Sequence, residues 1–118
     1  MIKKILYIDS NHPIAQMYYS ALKSSGYQIE LATTGTDGLL AARNNQYDLI
    51  LMDINLIEHS GAEIVQSLRG GSINLIPDSD IIILTNTDPD ESFKDIAEAY
   101  LIKSETTPDK LISIIQQL

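Results

Sequence analysis

Two aspartates, each at the end of a short apolar run, are the side chains of this sequence best placed to do chemistry. Asp9 follows the run ILYI, and Asp53 follows the run LILM. A run that is apolar on both faces is typical of a parallel strand covered by helices on both sides. Because ligands bind beyond the carboxyl ends of such strands, the sequence predicts that both carboxylates lie at one functional rim.

Two other apolar runs bring a hydroxyl and an ammonium group to the same predicted rim. Thr85 ends the run IIIL, and Lys103 ends the run YLI. Each group alone is an ordinary residue at the end of a strand, but all four at one rim favour a common site. Two close carboxylates attract a hard cation with oxygen ligands, and a hydroxyl beside an ammonium suits a phosphoryl group.

Helical patterns are predicted between these strands. The first helix follows a cap at Ser10 or Asn11, has Pro13 in its first turn and stops at Gly26. Its predicted core face consists of Ile14, Met17, Tyr18, Ala21 and Leu22. Residues 27–32 alternate between polar and apolar, as an edge strand does.

Four more helices are predicted further along the chain. One runs from about 36 to 44 with Leu39 and Leu40 as core contacts, and two others lie near 61–69 and 90–98. The last begins at Pro108 after a cap at Thr107, and its apolar stripe consists of Leu111, Ile114, Ile115 and Leu118.

Five successive strand–helix units predict an α/β fold with a parallel sheet, right-handed crossovers and helices on both faces. With the alternating second strand at an edge, the predicted order is 2-1-3-4-5, the flavodoxin-like doubly wound arrangement. The first and third strands are then neighbours, so Asp9 and Asp53 are expected to face each other across one crevice.

Composition limits the classes of function. The 118 residues have the size of one domain, which we expect to cover 1–118, and the formal net charge of −8 argues against nucleic-acid binding by this domain. No apolar run is long enough to cross a bilayer, and the absence of cysteine excludes disulfides and thiolate zinc sites, as expected of a cytoplasmic protein. His12 and His59 lie in predicted loops without a third ligand, so zinc is not expected.

With these strand ends in place, the sequence resembles the receiver domain of two-component response regulators, of the chemotaxis-regulator type. The resemblance covers essentially the whole chain and is carried by ILYID at 5–9, DLILMD at 48–53, Gly61, IIILT at 81–85 and YLIK at 100–103. Together these pieces are highly specific, although no single one would be.

The resemblance implies a phosphoacceptor rather than an enzyme, at most able to remove its own phosphoryl group. Asp53 resembles the residue that is phosphorylated from a phosphohistidine on a partner kinase or phosphotransfer protein. Thr85 resembles the hydroxyl that closes on the phosphoryl oxygens, Lys103 its cationic partner, and Tyr100 the switch aromatic whose rotamer follows the hydroxyl. The implied output is a surface that changes for an effector domain, another partner or a homodimer.

The resemblance also implies Mg²⁺, with Asp9, Asp53 and the backbone carbonyl of Asn55 as ligands. Ser10 stands where the family usually has a second acidic residue, and a neutral hydroxyl is a poorer ligand for this cation. We therefore expect weak Mg²⁺ binding and slow or absent phosphorylation.

Two alternatives stay open at the level of sequence. A degenerate receiver would keep the fold and act as a phosphorylation-independent interaction or dimerisation module, with Ser10 as its sign. An enzyme or flavin carrier on the same fold is conceivable, since fold alone does not give function, but no phosphate-cradling loop for FMN is recognisable.

Overall fold

Five parallel strands form the sheet in the computed structural model, which describes residues 1–10, 12–53, 79–86 and 97–118. The strands are β1 (Lys4–Ile8), β2 (Gln28–Ala32), β3 (Leu49–Asp53), β4 (Asp80–Thr85) and β5 (Ala99–Ile102). Their order is β2-β1-β3-β4-β5, which confirms the predicted order and places β1 beside β3.

Three helices belong to the described residues: α1 (Pro13–Ser24), α2 (Gly35–Asn44) and α3 (Pro108–Gln116). A 3₁₀ turn, Lys103–Glu105, follows β5 directly. The helix predicted near 61–69, nearly all of the one near 90–98, Asn55 and His59 lie outside the described residues.

The core consists of two apolar layers, one on each face of the sheet. All five residues of β3 are buried, because helices cover the central strands on both faces. Alternate residues of β1 and β3, such as Ile5 and Leu51, pack with α1 and α3, while Leu6 and Ile50 belong to the layer beside α2. β2 alternates in exposure, as predicted for an edge strand.

Helix α1 begins and faces the core differently from the sequence prediction. Its N-cap is His12, whose side chain accepts a hydrogen bond from the backbone N–H of Ala15, so the predicted cap at Ser10 is wrong and Asn11 is outside the described residues. The lone pair of a ring nitrogen accepts the capping hydrogen bond here, whereas the acceptor at an N-cap is usually the side-chain oxygen of Ser, Thr, Asp or Asn.

The buried stripe of α1 is Ala15, Tyr18 and Leu22. Ile14 and Met17 remain 44% and 45% exposed, so their predicted core positions are wrong. The apolar pattern of this helix is wide enough to fit two neighbouring stripes, and the packing against the sheet selects the one centred on Tyr18.

Helix α2 approaches β1 closely. A Cβ atom added to Gly38 would lie 2.6 Å from Cδ1 of Ile8, so the absence of a side chain lets the helix lie on the strand. Leu40, predicted as a core contact, is 49% exposed because the face of α2 turned to the sheet carries Gly35, Gly38 and Ala42 instead.

Helix α3 begins as predicted, with Thr107 as N-cap and Pro108 in the first turn. Leu111 and Ile115 are buried against the sheet, whereas Leu118 is 39% exposed. Within the described ranges, no helix has both the length and the apolar character needed to pass through a bilayer.

Candidate functional site

The four polar residues that end the predicted strands lie at the carboxyl edge of the sheet and are all buried. Asp53 ends β3, Thr85 ends β4, and Asp9 and Lys103 directly follow β1 and β5. The exposed fractions are 0% for Asp9, 4% for Asp53, 1% for Thr85 and 6% for Lys103. Charged side chains are rarely buried unless they are paired, so this edge needs internal compensation.

The ammonium of Lys103 compensates both carboxylates. Its Nζ donates to Oδ2 of Asp9 at 2.9 Å and to Oδ2 of Asp53 at 2.9 Å. One cation therefore lies between two anions from neighbouring strands, and the formal charge of the three groups is −1. Such a shared ammonium leaves the site attractive to further positive charge.

Every oxygen of the Asp9 carboxylate has a donor. Oδ2 accepts from the Tyr7 hydroxyl at 2.6 Å as well as from Lys103. Oδ1 lies 3.0 Å from Nε2 of His12. Asp9 is thus fixed in orientation by three side chains that come from β1, the start of α1 and the turn after β5.

These contacts move the pKa values of the cluster. Burial favours the neutral form of Asp9, but the hydrogen-bond contributions of Tyr7, Asp53 and Lys103, together with the charge of Lys103, outweigh it and lower the pKa of Asp9. Burial alone would lower the pKa of Lys103, yet its bonds to Asp9 and Asp53 raise it. Burial, followed by the charge of Asp9, raises the pKa of the Tyr7 hydroxyl, which stays protonated as a donor.

The backbone that carries Lys103 is tied to α1. The buried hydroxyl of Tyr18 donates to the carbonyl oxygen of Thr106 at 2.6 Å and lies 3.3 Å from that of Lys103. The Thr106 hydroxyl in turn donates to the carbonyl of Ile102 at 2.8 Å. Hydrogen bonds from Tyr18 and from Thr106 therefore hold the turn that carries Lys103 in place.

Tyr100 lies on β5 opposite Ile83 of β4, and its half-buried ring packs on the layer beside α2. Its hydroxyl oxygen is buried. Thr85 is paired in register with Ile102, so the hydroxyl and aromatic residues of the sequence prediction lie on neighbouring strands. Both residues make polar or ring interactions within the protein.

The site has a donor set that fits a hard divalent cation. One atom each of Asp9, His12 and Asp53 can be chosen so that all three lie within 4.8 Å of one another. The two carboxylates supply the oxygen ligands that such a cation prefers. Ser10 beside them is half-buried and adds no charge.

His12 is a site residue that the sequence interpretation missed, because it placed this histidine in a loop without a third metal ligand. Its position was the available signal. A residue three places after Asp9 and directly before the helix-starting Pro13 is at the N-cap, and a cap on this rim faces the carboxylate.

The sequence pattern of the response regulator receiver domain matches residues 5–116. The chain belongs to the response regulator receiver family. The Escherichia coli transcriptional regulatory protein HprR is 31% identical over 119 residues, a match that covers 98% of this chain and 51% of that protein. The receiver chain thus spans about half the length of this relative.

Solved receiver structures have the same fold. The CheY-like receiver domain protein of Methanospirillum hungatei is 28% identical with a TM-score of 0.86, and the match covers 99% of this chain and 93% of that one. A response regulator of Burkholderia pseudomallei, described with a phosphorylated aspartic acid, a calcium ion and citrate, is 25% identical. Its TM-score is 0.80, with 98% of this chain and 71% of that one covered.

Membership of the family fixes the general role of the chain. It is a receiver domain of two-component signal transduction, and domains of this family are phosphoacceptors rather than catalysts in the ordinary sense. They generally bind Mg²⁺ at an acidic pocket and work with histidine kinases and effector domains.

Proposed function

We propose that Asp53 is the residue of this receiver that accepts a phosphoryl group from the phosphohistidine of a histidine kinase or phosphotransfer protein. The observation that supports it is the pair of 2.9 Å contacts from Nζ of Lys103 to the carboxylates of Asp9 and Asp53. A buried carboxylate beside a shared ammonium can attack phosphorus while the developing charge is balanced.

Each neighbour has a proposed part in the transfer. Lys103 balances the charge of the phosphoryl oxygens, and the Thr85 hydroxyl donates a hydrogen bond to one of them. The acyl phosphate carries about −1.5 to −2 charges, enough to draw Thr85 inward and let the Tyr100 ring follow. That change in surface is the proposed signal to an effector domain, another partner or a second copy of the chain.

Mg²⁺ is the proposed cofactor, held by the carboxylates of Asp9 and Asp53 and the backbone carbonyl of Asn55. The cation neutralises phosphoryl oxygens when bound. Because Ser10 contributes no charge, we propose that the affinity is weaker than in a site with a second acidic residue. The proposed setting is a single receiver domain over residues 1–118, working in the cytoplasm without contacting nucleic acid or membrane.

The deciding experiment is incubation with acetyl phosphate and Mg²⁺, followed by intact-mass measurement. We expect one phosphate adduct on the wild type and none on Asp53→Asn. The matched control is Asp48→Asn, which changes the same residue type at the other end of β3 and should keep the adduct. A wild type that never gains phosphate would instead favour the degenerate receiver, and a coloured purified protein would favour a flavin carrier.

The cofactor proposal has its own test. Calorimetric titration with Mg²⁺ should show binding at least about tenfold tighter for Ser10→Asp than for the wild type, equivalent to about 1.4 kcal/mol. Equal affinities would show that the missing carboxylate does not limit the metal site.

A further inference from the structure

His12 is held at the start of α1 by both ring nitrogens. Nδ1 accepts from the backbone N–H of Ala15 at 3.2 Å, and Nε2 lies 3.0 Å from Oδ1 of Asp9. The side chain is 29% exposed, so the ring lies at the mouth of the site rather than inside the core. Nζ of Lys103 is also close, 3.5 Å from Nε2.

These contacts determine where the ring proton lies. A backbone N–H can only donate, so Nδ1 must offer its lone pair to Ala15 and the proton of the neutral ring is on Nε2. The short distance to Asp9 requires the same arrangement, because a bare nitrogen and a carboxylate oxygen would repel. Nε2–H is therefore a donor aimed at the carboxylates, and the contact with Lys103 is one of proximity, not a hydrogen bond.

The short distance from His12 to Asp53 and the charge of the site indicate that the Nε2–H group of His12 has a second possible acceptor. A ring nitrogen of His12 lies within 4.8 Å of an Asp53 carboxylate oxygen, and Nε2 is the nitrogen turned towards the carboxylates. A hydrogen bond needs a separation of about 3 Å, and a phosphoryl oxygen added to Asp53 would shorten the distance to the ring. With one ammonium shared between two carboxylates, and no charge at Ser10, the added anion requires further donors.

We propose that His12 donates its Nε2–H to a phosphoryl oxygen on Asp53, and that it binds Oδ1 of Asp9 when the phosphoryl group is absent. The inference rests on the proposed phosphorylation of Asp53. In the transfer, phosphorus bonds to an Asp53 oxygen as its bond to the donor's nitrogen or oxygen breaks. The His12 proton stays on Nε2 throughout, so the residue binds the reacting group without exchanging a proton.

The same geometry argues against His12 as a metal ligand. Binding a cation through Nε2 would move the proton to Nδ1, where it would face the Ala15 N–H and break the cap. In the resting site His12 instead competes with the cation for Oδ1 of Asp9. Removing the ring should therefore leave Mg²⁺ binding as tight as in the wild type or tighter, whereas removing a true ligand would weaken the binding of Mg²⁺, Mn²⁺ or Zn²⁺.

The test compares the wild type with His12→Asn, because asparagine is a good N-cap but is too short to donate to the phosphoryl group. Thr34→Asn, the same kind of change at the N-cap of α2, is the control for altered capping. With acetyl phosphate and saturating Mg²⁺, we expect His12→Asn to gain phosphate about tenfold more slowly, the effect of one lost hydrogen bond. Thr34→Asn should match the wild type.

Two further readouts do not depend on phosphorylation. Nitrogen-15 NMR should show Nε2 protonated and Nδ1 bare in the ring whose signals vanish in His12→Asn. Calorimetry with Mg²⁺ and with Mn²⁺ should show binding to His12→Asn that is as tight as to the wild type or tighter.

The outcomes separate this inference from the proposed function. Equal phosphorylation rates, a proton on Nδ1, or weaker Mn²⁺ binding by His12→Asn would each overturn the role of His12 while Asp53 remains the acceptor. No adduct on any protein would overturn the proposed function and this inference with it.

Discussion

Strand β3 has an aspartate at each end, and the two differ in burial and in the groups that bind their carboxylates. Oδ2 of Asp48, before the strand, accepts from the backbone N–H groups of Lys3 and Lys4, both at 2.9 Å, and the residue is exposed. Asp53, at the other end, is buried and bonded to the ammonium of Lys103. Backbone donors bind one carboxylate and a side-chain cation binds the other.

The two kinds of donor suit different roles, a structural one for Asp48 and a chemical one for Asp53. The backbone hydrogen bonds of Lys4 and Lys3 lower the pKa of Asp48 and join the start of β1 to the start of β3. These donors cannot leave without opening the sheet. The ammonium beside Asp53 ends a long side chain and is shared with Asp9, so it can shift towards a new anion. We therefore expect Asp53, and not Asp48, to be the carboxylate that accepts a group.

The largest expected effect comes from removing the shared cation. Lys103→Met leaves two buried carboxylates without the ammonium that balances their charge, and we expect it to lower the free energy of unfolding by about 3–5 kcal/mol. Urea denaturation followed by circular dichroism measures this. The exposed Lys110, changed in the same way, is the control and should alter stability by less than about 0.5 kcal/mol.

Adding Asp53→Asn to Lys103→Met sharpens the first prediction. Without Lys103, removing one of the two anions should restore more stability than the gain of about 1–2 kcal/mol expected for Asp53→Asn alone, so the two changes should be strongly non-additive. Strict additivity would mean that the carboxylates do not share the ammonium as the 2.9 Å distances indicate.

Asp53→Asn alone should raise the free energy of unfolding by about 1–2 kcal/mol. The change removes a buried charge and its repulsion with Asp9, and it leaves Lys103 fully available to Asp9. The same urea titration measures it. An Asp53→Asn protein less stable than the wild type would show that this carboxylate raises the free energy of unfolding rather than lowering it.

Asp48→Ala should act in the opposite direction, lowering the free energy of unfolding by about 1 kcal/mol. The two backbone N–H groups lose their carboxylate acceptor, but water can reach them at this exposed position. The phosphate adduct and the Mg²⁺ affinity should be unchanged. A loss of either in Asp48→Ala would remove the distinction between the two ends of β3.

The smallest expected effect concerns acid. The pKa of Asp9 is lowered from its ordinary value of 3.8, so its contribution to stability is present above pH 3.8 and is lost as the pH falls through the lowered value. Tyr7→Phe removes one of the hydrogen bonds that lower this pKa, so the loss of stability in acid should be smaller and should be complete at a higher pH. Urea denaturation at a series of pH values between 2 and 6 would test it, and coincident profiles for Tyr7→Phe and wild type would contradict it.

The sheet and its order were predictable because local patterns determined them. Each local pattern is compatible with one kind of element: examples are the buried run IIIL, the alternation in β2 and the helix start at Thr107–Pro108. The right-handedness of the crossovers then limits the order of the strands. The rim followed from the fold, since polar residues at the ends of neighbouring parallel strands must meet. The proximity of Asp9 and Asp53 could therefore be predicted without knowing any side-chain conformation.

Features that depend on a few degrees of helix rotation were not predictable. Ile14 and Met17 are apolar and correctly spaced, yet α1 turns Ala15, Tyr18 and Leu22 to the core. The contact of His12 with Asp9 depends on the same orientation, because the cap residue points wherever the first turn of the helix sends it. A sequence pattern gives the period of a helix more readily than its phase.

One hydroxyl has a consequence for the motions of the receiver. Tyr18 of α1 donates to the carbonyl of Thr106, just past the turn that carries Lys103. Helix α1, which His12 caps, and the loop that follows Lys103 are therefore joined by a direct hydrogen bond. We expect the amide hydrogens of α1 and of this loop to exchange with solvent at correlated rates, and to be released together in Tyr18→Phe.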